Sequence, residues 1–238
     1  CQLLYHIIGN SGAMDEDLYE SISDELSTKV YDKDAAVRVK AIAALACFQN
    51  EDGGSLSVAG KKIRFIMQND LNAEVRRACL KHIEKNRYTE PFIVERARDV
   101  DTVNRRTLYT KILPTYSSVT EISSANRNKL LEWGLRDRDE SVRNACANWL
   151  TNTWMSNANN NIMEFLDQLN VTESEIADTA VRVLLNRNTE IVNTFEFSKE
   201  FYDNLTPSLA LLLRVTYEYC HDNQKEDVID RLYPEAAE

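Results

Sequence analysis

The sequence predicts an all-α chain, a solenoid of stacked antiparallel helix pairs, and three observations carry that prediction. Glycine occurs 6 times and proline 4 times in 238 residues. That is too few for a turn-rich sandwich, a barrel or a Rossmann-type sheet, and it fits helices joined by short turns. A seven-residue pattern recurs four times along the chain, and an amphipathic stretch precedes each copy. The hydrophobic share of 43% and the charged share of 28% describe a globular chain with a real core. No run of 18 apolar residues is present, so no helix is expected to cross a membrane.

The recurring pattern begins at Asp32, Asp70, Asp99 and Asp137, with starts 38, 29 and 38 residues apart. Counting each first Asp as position zero, position two holds Asp34, Asn72, Asp101 or Asp139. Such side chains accept hydrogen bonds from the free N–H groups of a new helix, so each is an expected N-cap. Position five holds Val37, Val75, Asn104 or Val142; position nine Ala41, Cys79, Leu108 or Cys146; position thirteen Leu45, Ile83, Ile112 or Leu150. Steps of four mark one buried stripe of a helix. The third copy departs from the others by its Asn104. Position six is arginine each time: Arg38, Arg76, Arg105 and Arg143. Recurrence in acidic surroundings favours a structural role, an arginine bridging to the turn Asp of a neighbouring repeat.

The amphipathic stretches 15–31, 58–69, 91–98 and 126–135 are the expected first helices of four pairs. Residues 162–169 with 174–186 read as a fifth pair, and 207–220 with 225–232 as a sixth. The expectation is one continuous stack over residues 1–238, because a lone pair cannot bury its own apolar faces. Residues 1–9 read as the middle of an apolar helix, so the chain is expected to be part of a longer one.

The net charge is −10, from 28 basic and 38 acidic side chains, which argues against a general nucleic-acid binder. The distribution is uneven, however. Residues 57–111 carry 13 Lys and Arg against 7 Asp and Glu. Positions seven and eleven lie one turn apart, away from the buried stripe. They hold Val39 and Ala43, then Arg77 and Lys81, then Arg106 and Thr110, then Asn144 and Asn148. Arg77, Lys81 and Arg106 thus form a basic ladder over two adjacent second helices, with Lys111 beside it. Lys61 and Lys62, on a first helix with Arg64, extend the basic band. Two readings stand: phosphate contacts, or a solvated charged face.

No catalytic constellation is found: no phosphate-cradling glycine loop, no nucleophile elbow, no His-Glu-x-x-His. No cofactor is implied. The five cysteines are scattered without a Cys-x-x-Cys pair, which suits a reducing compartment. Cys79 and Cys146 fill small core positions, and Trp133, Trp149 and Trp154 are spaced for packing between repeats. His6, His82 and His221 are isolated, so no zinc spacing appears.

The repeat length and the Asp…Val-Arg signature are those of HEAT repeats. Three longer blocks narrow the likeness: Asn72-Ala73-Glu74-Val75-Arg76-Arg77-Ala78, Glu95-Arg96-Ala97-Arg98-Asp99-Val100 with Val103-Asn104-Arg105-Arg106, and Glu132-Trp133-Gly134-Leu135-Arg136-Asp137-Arg138. In that order they resemble the condensin G-subunit family, most closely its fungal members. The resemblance runs from Gln2-Leu3-Leu4 to Leu232-Tyr233-Pro234-Glu235. It implies a HEAT-repeat solenoid from the N-terminal half of a larger, non-catalytic subunit. It further implies binding to the kleisin subunit and, with it, to double-stranded DNA in a basic groove. ATPase activity would reside in SMC subunits contacted indirectly, and the location would be the nucleus and mitotic chromosomes, with a cytoplasmic phase. For the kleisin segment, residues 222–227 and apolar positions such as Val39 are both candidates. Two other classes share the architecture: adaptors that bind only protein, and HEAT-like alkylpurine DNA glycosylases. The basic band counts against the first. The absence of an aromatic and acidic cluster at the ladder positions counts against the second.

Overall fold

The computed structural model describes residues 15–49 and 55–233, and every regular element among them is helical. The expectations resting on Cys1, His6 and the apolar start lie outside the described residues. The chain divides into two compact units, residues 1–112 and 113–238.

In the first unit α1 (Glu16–Lys29), α3 (Val58–Asn69) and α5 (Glu90–Val94) lead the three pairs. Their partners are α2 (Ala35–Leu45), α4 (Ala73–His82) and α6 (Thr102–Thr107). The second helices form one layer, with α2 against α4 and α4 against α6; α1 packs on α2 and α3 on α4. The third leading helix is cut to one short α-helix and a 3-10 turn, Glu95–Arg98. That shortening accounts for the spacing of 29 between the second and third copies.

Each second helix starts where a side chain can cap it. Asp34, Asn72 and Asp101 accept backbone N–H groups of the first turn at 2.8, 2.8 and 2.9 Å. The stripe from these caps is buried: Ala41, Cys79 and Leu108 at position nine, Leu45, Ile83 and Ile112 at thirteen. At position five Val75 is buried, whereas Val37 is only half-buried. Asn104 is buried there too and donates its amide to the carbonyl of Ala73 at 3.0 Å. The asparagine therefore ties α6 to α4, an attachment that valine cannot make.

In the second unit α7 (Ser124–Leu135) pairs with α8 (Glu140–Asn148), capped by Asp139. Then come α9 (Ile162–Leu169), α10 (Ala177–Arg187), a short α11 (Lys199–Asp203), α12 (Pro207–Asp222) and α13 (Glu226–Leu232). The helices expected for the fifth and sixth pairs occur close to their expected bounds, and α11 is an additional short helix. Trp149 and Trp154 are buried with ring centroids 5.4 Å apart, and Trp154 meets Phe165 at 5.8 Å. Trp133 is half-buried. Arg127 is buried and donates to the carbonyls of Ile122 at 2.6 Å and Gln168 at 3.0 Å, joining α7 to the end of α9.

Two second helices widen part-way along. Residues Leu108–Ile112 and Trp149–Trp154 form π turns, the latter running into a last turn, Met155–Asn157. A π turn bonds each residue to the one five along and so widens the helix locally.

Candidate nucleic-acid interface

The arginine at position six organises every turn. Its Nη1 donates to the carbonyl of position zero at 2.9 Å for Arg38, 2.8 Å for Arg76, 2.9 Å for Arg105 and 2.8 Å for Arg143. The turn Asp in turn accepts the N–H of position two, at 2.8 or 2.9 Å in all four copies. Where neighbouring repeats share the first unit, the arginine also reaches forward. Arg38 grips Asp70 with two bonds, 2.8 and 3.0 Å, and Arg76 grips Asp99 at 2.9 and 2.7 Å. Arg96 adds a third bond to Asp99 at 3.2 Å. Burial alone would raise the Asp99 carboxyl; the hydrogen bonds from Arg76 and the Asp101 N–H outweigh it and hold the group below the usual carboxylate value. These arginines are thus consumed within the scaffold.

The next position along faces a different environment. Arg77 is half-buried, and Lys81, Arg106 and Lys111 are exposed. Among the described residues none of the four has a carboxylate partner. Arg77 and Lys81 sit one turn apart on α4. The third repeat offers Thr110 at position eleven, and Lys111 follows it in the π turn. Because α4 and α6 pack side by side, the four cations share one layer.

Lys61 and Lys62 belong to α3, the other layer; Lys61 is exposed and Lys62 half-buried. Arg64 of the same helix lies over the Phe92 ring at 4.6 Å. In the first repeat the ladder positions are apolar, and Val39, read from sequence as exposed, is half-buried with Ala43. His82 flanks Lys81, and burial first, then the Lys81 ammonium, lowers its pKa.

Other chemistry has little support. Among the described residues no group of three His, Cys, Asp or Glu could hold a metal ion. No helix there is long and apolar enough to cross a membrane. Cys79 and Cys146 are fully buried and burial pushes both thiols up, so they are packing groups. A recess of about 370 Å³ lies between α10 and α12, lined by Arg182, Tyr217, Glu218, His221 and Asp222. Its ions are mutually paired: Arg182 with Asp178 at 2.7 Å and with Glu218, Arg214 with Asp178 at 2.6 Å and Glu218 at 3.2 Å.

No family model matches the sequence. Known proteins do. The chain is 35% identical over 239 residues to condensin complex subunit 3 of Schizosaccharomyces pombe, across 100% of this chain and 27% of that protein. A chain from the crystal structure of the S. pombe condensin Cnd3–Cnd2 subcomplex matches it with a TM-score of 0.90 at 35% identity, over 98% of this chain and 32% of that one. The chain is homologous to a stretch of condensin complex subunit 3. The same subunit of Saccharomyces cerevisiae is 33% identical over 248 residues, and that of Homo sapiens 29% over 247, each across 99% of this chain and 24% of the relative. The chain therefore spans about a quarter of the length of the condensin subunits it matches. The helix pairs described above are HEAT repeats.

Proposed function

We propose that this stretch is a non-catalytic HEAT-repeat part of a condensin subunit, which binds the kleisin subunit and, with it, holds double-stranded DNA independently of sequence. The observation that carries the DNA part is the row of Arg77, Lys81, Arg106 and Lys111 on α4 and α6, without carboxylate partners among the described residues. Cations left unpaired on one layer suit phosphates, whose counterions they displace. Lys61 and Lys62 would extend the band from α3. The kleisin part is supported by the likeness to the Cnd3–Cnd2 subcomplex. On this reading the six helix pairs form one continuous stack, SMC ATPases are reached only through other subunits, and the protein acts on chromosomes in the nucleus.

The test is anisotropy of a labelled duplex with the full-length subunit, alone and with its kleisin segment, across a salt series. Binding that needs the kleisin and falls steeply with salt is expected. Arg77→Glu with Arg106→Glu should weaken it more than tenfold and flatten the slope by about two, near 0.9 per phosphate contact. Unchanged affinity at moderate salt would remove the row from the interface. The net charge of −10 favours a second reading, an adaptor that binds only an extended peptide. Kleisin capture without DNA binding would select it.

A further inference from the structure

The fourth repeat has no cation of its own at positions seven and eleven. It has Asn144 and Asn148, both exposed and one helical turn apart on α8. The fold supplies a cation from elsewhere. Arg187, the last residue of α10, donates from Nη2 to Asn144 Oδ1 at 2.7 Å and from Nη1 to Asn148 Oδ1 at 2.6 Å. Both amides hold the one planar fork, so its orientation is set before any ligand arrives.

The choice of acceptor is informative. Two repeat-joining arginines of the first unit use carboxylates, Arg38–Asp70 and Arg76–Asp99, while Arg127 uses a backbone carbonyl. Arg182, five residues earlier on α10, is likewise bridged to Asp178 and Glu218. Arg187 has no carboxylate partner among the described residues. Asparagine is neutral, so it fixes the guanidinium while leaving its charge uncancelled. Two of the five N–H donors go to the asparagines, and three remain for another acceptor. An exposed, oriented and uncompensated guanidinium matches a phosphate oxygen pair.

We propose that Arg187, positioned by Asn144 and Asn148, is a contact to the phosphate backbone of duplex DNA, supplying from the following repeat the charge that the fourth repeat lacks. This rests on the DNA reading above. The test uses the full-length subunit with its kleisin segment, a labelled duplex and a salt series. Arg187→Ala should weaken binding roughly three- to tenfold and flatten the log–log salt slope by about 0.9. Asn144→Ala with Asn148→Ala should weaken binding by less and keep the slope, since the charge stays while its position is lost. Kleisin capture should equal the parent's in each case. Where alanine at 187 disturbs the stack, Arg187→Gln carries the same expectation as a neutral side chain of similar reach. Parent-like affinity and slope for the folded Arg187 variant would overturn the inference, and a silent asparagine pair would overturn the clamp. Loss at Arg187 with parent-like binding by Arg77→Glu/Arg106→Glu would uphold this contact and remove the ladder. The reverse would remove Arg187 and leave the ladder.

Discussion

Asp99→Asn should be among the most damaging single-atom-scale changes in the first unit. The Asp99 and Arg76 side chains are 1% and 6% exposed, and the carboxylate receives two bonds from Arg76 and one from Arg96. Asparagine keeps one oxygen for the Asp101 N–H but turns an amide donor toward guanidinium donors. It also leaves the Arg76 charge buried without compensation. Breaking such a pair costs about 3–5 kcal/mol. The same change at Asp70 should cost less, about 1–3 kcal/mol, because the Arg38 and Asp70 side chains are 16% and 11% exposed and water can solvate what remains. With a urea slope near 2 kcal/mol/M, Asp99→Asn lowers the unfolding midpoint by about 1.5–2.5 M. Far-UV circular dichroism in urea reads this directly. A pH series adds a sign. The Asp99 pKa is depressed in the fold, so its contribution is complete above the unfolded carboxylate value near 3.9 and disappears as pH falls through the lower folded value. The gap between parent and Asp99→Asn should therefore close on acidification below about pH 4. A midpoint shift at Asp99 no larger than that at Asp70 would refute the burial argument.

Gly60→Ala should stabilise the chain by about 0.5–1 kcal/mol. Gly60 lies inside α3, and an added Cβ would meet Ser57 Oγ at 3.4 Å and Leu56 at 3.5 Å, ordinary contacts; a lowered melting midpoint would contradict that geometry. Under native alkylation followed by peptide mass spectrometry, Cys47, which is half-buried, should react ahead of Cys79 and Cys146, whose thiols are sealed in the core; equal rates would show that the second helices open together.

Caps and stripes were legible because their chemistry is local. Asp34, Asn72, Asp101 and Asp139 sit two residues after the turn Asp, and a helix start needs an acceptor there. The ion pairs were legible as a class, since one arginine recurs at one register. The π turns were not, because neither 108–112 nor 149–154 carries a residue that demands the wider pitch. The stripe survives them, which is why Ile112 and Leu150 are buried as expected. Asn104 marks a departure from the hydrophobic stripe in the sequence, and the carbonyl of Ala73 opposite gives it a purpose. Arg187 was invisible for the same reason. Its partners lie 39 and 43 residues away, and no local rule links an arginine at a helix end to two asparagines in the preceding repeat.

The two neighbouring arginines of the second repeat show how a chain with a net charge of −10 can present a cationic face. Arg76 and Arg77 are adjacent in sequence and about 100° apart around α4, and the helix sends them to opposite fates. Arg76 points to the turn, where carboxylates gather and cancel it; Arg77 has no carboxylate partner among the described residues. Separation along the helix sharpens the contrast. Lys81 lies nine residues beyond the cap at Asn72, roughly 13 Å along the axis at about 1.5 Å per residue. That exceeds the screening length of about 8 Å at physiological salt. The acidic turns are engaged with their own N–H groups and arginines, and their field fades before the far end of the helix. Averaged charge describes how the whole chain moves in a field, whereas contact with a phosphate depends on the few side chains within a screening length of it. On the proposed reading, the same repeat can therefore carry an acidic edge for building the stack and a basic face for using it.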